Sequence, residues 1–242
     1  MSMDMKIAGS GKIPAGEYGE VSISGSGSLY GLVRCEAFSA SGSAHGERIE
    51  CAGDLRVSGA AGFSGSVMAG RVKVSGGFSC DGDVTANGRI SCSGRIECEK
   101  SLKCERLAVS GLCKVGGDIE AEDVRVDGHL KCEGLLNAEN IEISVNRGMY
   151  IGSIGGSRIV IYRESKGVKR LPLFSTLARA EQGSITVASS IEGDDIAVEA
   201  VTCPRVTGRI VAIGAGCRID LVQYNDRAEI SPEAEVGKLE KI

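Results

Sequence analysis

Apolar residues in this chain recur as couples, two inward positions separated by one outward residue, rather than as long runs. In FSCDGDVTANGRISCSGRIECEKSLKCE (residues 78–105) the couples are Phe78/Cys80, Val84/Ala86, Ile90/Cys92, Ile96/Cys98 and Leu102/Cys104, each starting six residues after the last. Alternation this brief predicts very short strands with one buried face. Over a longer stretch one set reads Val21/Ile23, Phe38/Ala40, Leu55/Val57, Val72/Val74, Ile90/Cys92, Leu107/Val109, Val124/Val126 and Ile141/Ile143, with spacings of 17, 17, 17, 18, 17, 17 and 17. A second set runs Ala61/Phe63, Phe78/Cys80, Ile96/Cys98, Cys113/Val115 and Leu130/Cys132. A third runs Val67/Ala69, Val84/Ala86, Leu102/Cys104, Ile119/Ala121 and Leu136/Ala138. Three strands per turn, in steps of about 6, 6 and 5, give a 17-residue coil.

Such a repeat predicts an all-β fold, a parallel β-helix in which each strand pairs with its counterpart one coil above and below. Right-handed winding is the rule for parallel crossovers. Corner chemistry follows the phase of the repeat. Glycine stands two residues after seven of the eight first-set couples (Gly25, Gly42, Gly59, Gly76, Gly94, Gly111 and Gly128), where positive φ at a sharp bend is expected. The third-set corners, Glu105-Arg106, Glu122-Asp123 and Glu139-Asn140, carry none. A proline would remove a ladder donor, and Pro14, Pro172, Pro204 and Pro232 leave residues 15–171 free of it.

The pattern divides the chain into an N-terminal partial coil (1–20), a main helix (21–161), a basic insertion (162–184) and further coils with a terminal cap (185–242). In the last part Ile196, Ile213 and Ile230 are 17 apart, as are Ile219 and Val236, and the charged EAEVGKLEKI is read as the cap. Whether these coils continue the first stack or form a second, short solenoid is left open by spacing alone. The insertion changes the picture most. Residues 146–181 hold seven basic and two acidic side chains, a net +5 in a chain of net charge −4. Arg163, Lys166, Lys169 and Arg170, with the apolar Leu173 and Phe174, are the candidate contact with a protein partner or a membrane surface.

Thirty-five glycines, no tryptophan and 4% aromatic residues fit many corners rather than a helical bundle. No apolar run reaches membrane-spanning length, and MSMDMKIAGSGK lacks the pattern of a secretory signal, so the expected location is the cytoplasm, where thiols stay reduced. Six of the ten cysteines (Cys80, Cys92, Cys98, Cys104, Cys113 and Cys132) occupy inward positions, as small hydrophobes rather than metal ligands or disulfide partners. The two histidines, His45 and His129, are expected to face solvent at unrelated places. GSIGGS (residues 152–157) lacks the lysine and following helix of a phosphate loop. Charges one coil apart, Glu97 with Lys114 and Lys103 with Glu120, are placed to pair, whereas Arg71, Arg89 and Arg106 stack with like sign.

The 17-residue, three-strand coils and units such as KVSGGFSCDGDV and RISCSGRIEC resemble bactofilins, the polymer-forming bacterial cytoskeletal proteins, over most of residues 5–236. The later IEGDDIAVEAV and GRIVAIGAGCRIDLVQY resemble the second half of a longer variety. The resemblance implies a non-enzymatic scaffold that polymerises end to end without nucleotide or cofactor. Its partners would be copies of itself and proteins of the envelope or the inner membrane surface, with neither nucleic acid nor a small-molecule substrate. Two alternatives differ in class. A hexapeptide-repeat acyltransferase would build each coil from three full hexapeptides, longer than the coil seen here, and would need a histidine base. An exported carbohydrate-active or adhesive β-helix would have longer coils. A β-helical adaptor that does not polymerise is the third alternative.

Overall fold

The computed structural model describes residues 3–163 and 183–242. Every regular element among them is a β-strand, 24 in number, and every register pairing is parallel. The strands wind into a β-solenoid of about 13 turns. One column can be followed from end to end. Ile7 pairs with Ile23, then Ala40, Val57, Val74, Cys92, Val109, Val126, Ile143, Ile161, Val198, Ile213 and Ile230. Stacking satisfies the backbone donors and acceptors that such short strands would otherwise leave open.

The inward couples form the core. Both members of every first-set couple are buried, and the second and third sets follow except Ala121, which is half-buried. Large and small side chains alternate where columns would otherwise collide. Phe63 stacks between Gly46 and Cys80, and a Cβ on Gly46 would meet the Phe63 ring at 2.9 Å. Phe38, Phe63 and Phe78 form a chain of ring contacts with centroids 6.1 Å apart, the first pair edge to face.

The corner glycines serve a different purpose from the one their sequence suggests. Positive φ among the described residues is confined to Gly31, Gly216 and Ala200, so none of the seven column glycines uses it. Instead the stacked corners approach so closely that a Cβ on Gly42, Gly59, Gly76, Gly94, Gly111 or Gly128 would lie 1.9–2.2 Å from the carbonyl oxygen of the glycine below. At each corner two successive N–H groups donate to one carbonyl of the coil below, as Ser75 and Gly76 both do to Val57 at 2.8 and 3.2 Å. Only a residue without a side chain fits that ladder.

Above Gly128 the column changes character. Its positions are filled by Val145, Arg163, Ala200, Ala215 and Pro232, and residues 164–182 leave the described chain immediately after one of them. The stack nevertheless runs on, because Ile159 pairs with Ile196 and Ile161 with Val198. Coil lengths become uneven. Ile196 pairs with Val211 and Val198 with Ile213, so this coil is shorter than the regular one by two positions. Ile196 and Ile213 are therefore not partners, although their spacing matches the repeat. Ile213 with Ile230 and Ile219 with Val236 do pair. In the short coil Ala200 turns the corner at φ 56°, and Pro204 falls between the pairs Cys203/Ile219 and Arg205/Leu221, at a bend where its missing N–H costs no rung.

Candidate functional site

Of the six residues singled out for partner contact, the described structure includes Arg163. Lys166, Lys169, Arg170, Leu173 and Phe174 lie outside the described residues. Arg163 ends the strand Met149–Arg163, and its N–H donates to Glu199 Oε2 at 3.1 Å. Its guanidinium lies where a Cβ on Gly216 would meet it at 2.8 Å. Gly216, at φ 72°, therefore makes room for this arginine above the next coils. Arg163 is part of the solenoid framework, and it is half-buried. Gly183 lies tight against the Arg147 backbone.

The thiols are core material. All ten cysteines are free and buried. Burial pushes Cys80, Cys104 and Cys132 up to about 12 and Cys92 up to about 11, and raises fully enclosed Cys113 well above the usual thiol value. Thiols so disfavoured as anions are poor nucleophiles and poor metal ligands. Among the described residues no group of three or more His, Cys, Asp or Glu side chains could hold a metal ion. Cys51, beside Cys35, is the exception. The two are register partners on adjacent coils and line an open cleft of about 410 Å³ with Tyr18, Met68 and Asn87. A hydrogen bond from Cys35 lowers the Cys51 thiol, and the same bond, with burial, raises Cys35. Spacing alone hid this pair, because neither cysteine belongs to the couples from which the repeat was read.

The histidines do not converge. His45 is exposed and lies 3.2 Å from the Ser43 hydroxyl, whereas His129 opens the strand His129–Val145 several coils away. The charge ladder is real. Lys103 Nζ reaches Glu120 at 2.7 Å, and Lys114 Nζ reaches Glu97 at 3.4 Å.

The two ends of the solenoid differ. At the first coil, Ile7, Ile13 and Tyr18 are buried and the Tyr18 hydroxyl donates to the Pro14 carbonyl at 2.9 Å, while the strands Met3–Ile7 and Ser10–Ile13 are each paired on one side. At the last coil, the stretch read as a cap is itself the strand Glu235–Lys241, paired on one side with the strand before it. Leu239 is 47% exposed although its register partner Val222 is fully buried. Tyr224, Ile230, Ala234 and Val236 around it are only partly covered. Pattern reading missed this apolar end because the charges of EAEVGKLEKI suggested a cap. The signal was the inward pair Val236 and Leu239 within it.

Comparison with known proteins adds two relatives, both from Bacillus subtilis (strain 168). The chain is similar to the uncharacterized protein YhbF, 27% identical over 110 residues, which is 45% of this chain and 42% of YhbF. It is similar to the uncharacterized protein YhbE, 30% identical over 112 residues, which is 46% of this chain and 45% of YhbE. The match thus spans less than half of either relative. No protein-family model and no solved structure matches. Among the described residues no helix is long and apolar enough to cross a membrane.

Proposed function

We propose that this protein is a non-enzymatic scaffold that assembles through the ends of its β-solenoid, in the manner of bactofilins, and presents the segment 162–184 to partners at the cell envelope. The observation that carries this reading is the open last coil. Strand Glu235–Lys241 offers an unpaired backbone edge, and Leu239 with its neighbours offers apolar surface beneath it. An unpaired edge templates another strand, and an apolar end is buried only if something stacks on it.

Sedimentation velocity and negative-stain electron microscopy over a range of salt, without nucleotide, test the assembly. Filaments or large oligomers are expected, and Leu239→Lys should reduce them to small particles while leaving the β circular dichroism signal unchanged. A wild-type protein that stays monomeric at every salt concentration overturns the reading. Recruitment is tested separately. Charge reversal at Lys166, Lys169 and Arg170 should abolish partner capture and cellular localisation without altering assembly.

A further inference from the structure

The arginine column that stacks like charges is built into a longer basic trough. Arg71, Arg89 and Arg106 occupy successive corners, with Arg89 and Arg106 direct register partners. Beside them on the adjoining face stand Arg56, Lys73 and Arg125, all exposed. The flanking row runs from Lys73 through Ser91 and Ala108 to Arg125, and two shallow clefts of about 170 and 350 Å³ that share Arg89 lie along the rows, the larger also lined by Asp123 and Glu142. The ends of the row are neutralised. Asp54 accepts from Arg71 at 2.7 Å and also pairs with Arg56, and Asp123 pairs with Arg106 at 3.6 Å. Arg89 and Lys73, at the centre, have no ion pair among the described residues.

Stacked cations about 4.8 Å apart repel, and the sequence supplies carboxylates freely to neighbouring columns. Leaving the middle of this column without them is a cost that a bound anion would remove. The shape selects the kind of anion. The trough is straight, runs along the solenoid axis and presents a cation on every rung for about 10 Å between Arg71 and Arg106. The exposed large apolar side chains of the described structure are Met3, Tyr30, Met68, Leu135, Leu239 and Ile242, none of which lines the trough. No aromatic ring lines it either, so it lacks the stacking platform that holds the bases of single-stranded nucleic acid.

We propose that the trough centred on Lys73 and Arg89 binds an extended linear polyanion that carries phosphate groups but no bases. Guanidinium groups of Arg71, Arg89 and Arg106 grip successive anionic groups by charge-assisted hydrogen bonds, and Lys73 adds a point charge on the flank. The site is independent of end-to-end assembly, because it lies on the side of the solenoid.

Inorganic polyphosphate is the probe, with orthophosphate, oligo-dT and vesicles rich in phosphatidylglycerol as comparison arms, read by fluorescence anisotropy or co-sedimentation. Wild-type full-length protein should bind polyphosphate far more tightly than orthophosphate. Log affinity should fall with log salt at a slope of about −2 to −3, as roughly three to four neutralised phosphates require. Lys73→Glu with Arg89→Glu should weaken binding at least tenfold and flatten the slope by about two, at unchanged melting temperature. Charge reversal at Lys166, Lys169 and Arg170 should leave it intact. Absence of binding at low salt, or binding indifferent to K73E/R89E, overturns the proposal. Preference for oligo-dT or for vesicles, lost in K73E/R89E, also overturns it and reassigns the trough to nucleic acid or to a membrane surface.

Discussion

The coils between Val21 and Gly128 and those beyond Gly183 share one fold but hold to it by different means. In the first region the coils keep one length, a single coil being longer by one position, and the corner glycines touch backbone to backbone. In the second, one coil is shortened and the same corner column holds Ala200, Ala215 and Pro232. The N–H after each couple still reaches the coil below, as Glu199 does to Ile161, Gly214 to Val198 and Ser231 to Ile213. The second donor that glycine contributed is lost. A glycine ladder thus fixes how the corners stack: a side chain at any of its positions would meet the carbonyl below, whereas an extra residue is taken up elsewhere in the coil, as between Gly76 and Gly94. Beyond the end of the ladder one coil is shorter, with Ile196 on Val211 and Val198 on Ile213.

The greatest change is expected at alkaline pH, and it reaches both regions, since burial raises Cys203 and Cys217 as well. Cys80, Cys92, Cys104 and Cys132, all in or next to the regular coils, are raised by burial from the usual thiol value near 9 to about 11 or 12. A raised thiol keeps its proton longer in the folded chain than in the unfolded one. The associated stability is whole below pH 9 and is lost as pH rises through about 11 to 12. A difference of this size is worth at most about 4 kcal/mol per thiol. Denaturant unfolding monitored from pH 7 to 11 should therefore show a flat profile that drops above pH 9. Cys80→Ala should make the drop shallower. A profile with no drop would mean that the thiols are hydrated.

Next in size is the aromatic chain. Phe63→Ala removes a ring enclosed by Phe38, Phe78 and the Gly46 corner, and should cost about 3–5 kcal/mol. Tyr224→Ala, in the half-covered penultimate coil, should cost far less in the unassembled protein. Equal losses in chemical denaturation would show that the C-terminal coils are as tightly closed as the rest.

The glycine ladder can be broken with an internal control. Gly76→Ala places a methyl 1.9 Å from the Gly59 carbonyl oxygen, whereas Gly77→Ala meets nothing within 4 Å. The first should lower stability by about 1–3 kcal/mol or more, and the second should be neutral or slightly stabilising. Thermal melts of the pair decide it. If both variants melt alike, the close approach of the corners does not hold the stack together.

How far the sequence reveals these regions follows from the same physics. Inward couples at a constant spacing betray the solenoid because three strands and three corners must all keep phase, and chance does not preserve that over coil after coil. The glycines were legible as corners but not as a ladder, since a close approach between coils leaves no local signature distinct from a need for positive φ. The Ile196, Ile213 and Ile230 series misleads for a related reason. Sliding a strand by two positions keeps every inward side chain inward, so apolar spacing cannot tell a shortened coil from a full one. Lys103 with Glu120 and the Arg71, Arg89 and Arg106 column were readable because register alone places them. The flanking Lys73 and the acidic ends at Asp54 and Asp123 needed the neighbouring face. Arg163 was legible as a charge, but its place beside Gly216 depends on a corner that lies far along the sequence.

The smallest test asks what charge contributes in the second region. Lys103 and Glu120 form an exposed pair on regular coils, and Lys103→Ala should cost no more than about 0.5 kcal/mol. Arg209 instead bridges Asp195 below at 2.7 Å and Asp226 above at 3.2 Å, tying three successive coils beside the stacked Gly193 and Gly208. A networked arginine holds its rotamer for two partners at the ordering cost of one, so Arg209→Ala should cost about twice as much as Lys103→Ala, with a stronger dependence on salt. Matched urea titrations at low and high salt measure both. If the two substitutions prove equal and salt-insensitive, the C-terminal coils are held by their buried isoleucine and valine columns, and Arg209 contributes no more than an ordinary exposed pair.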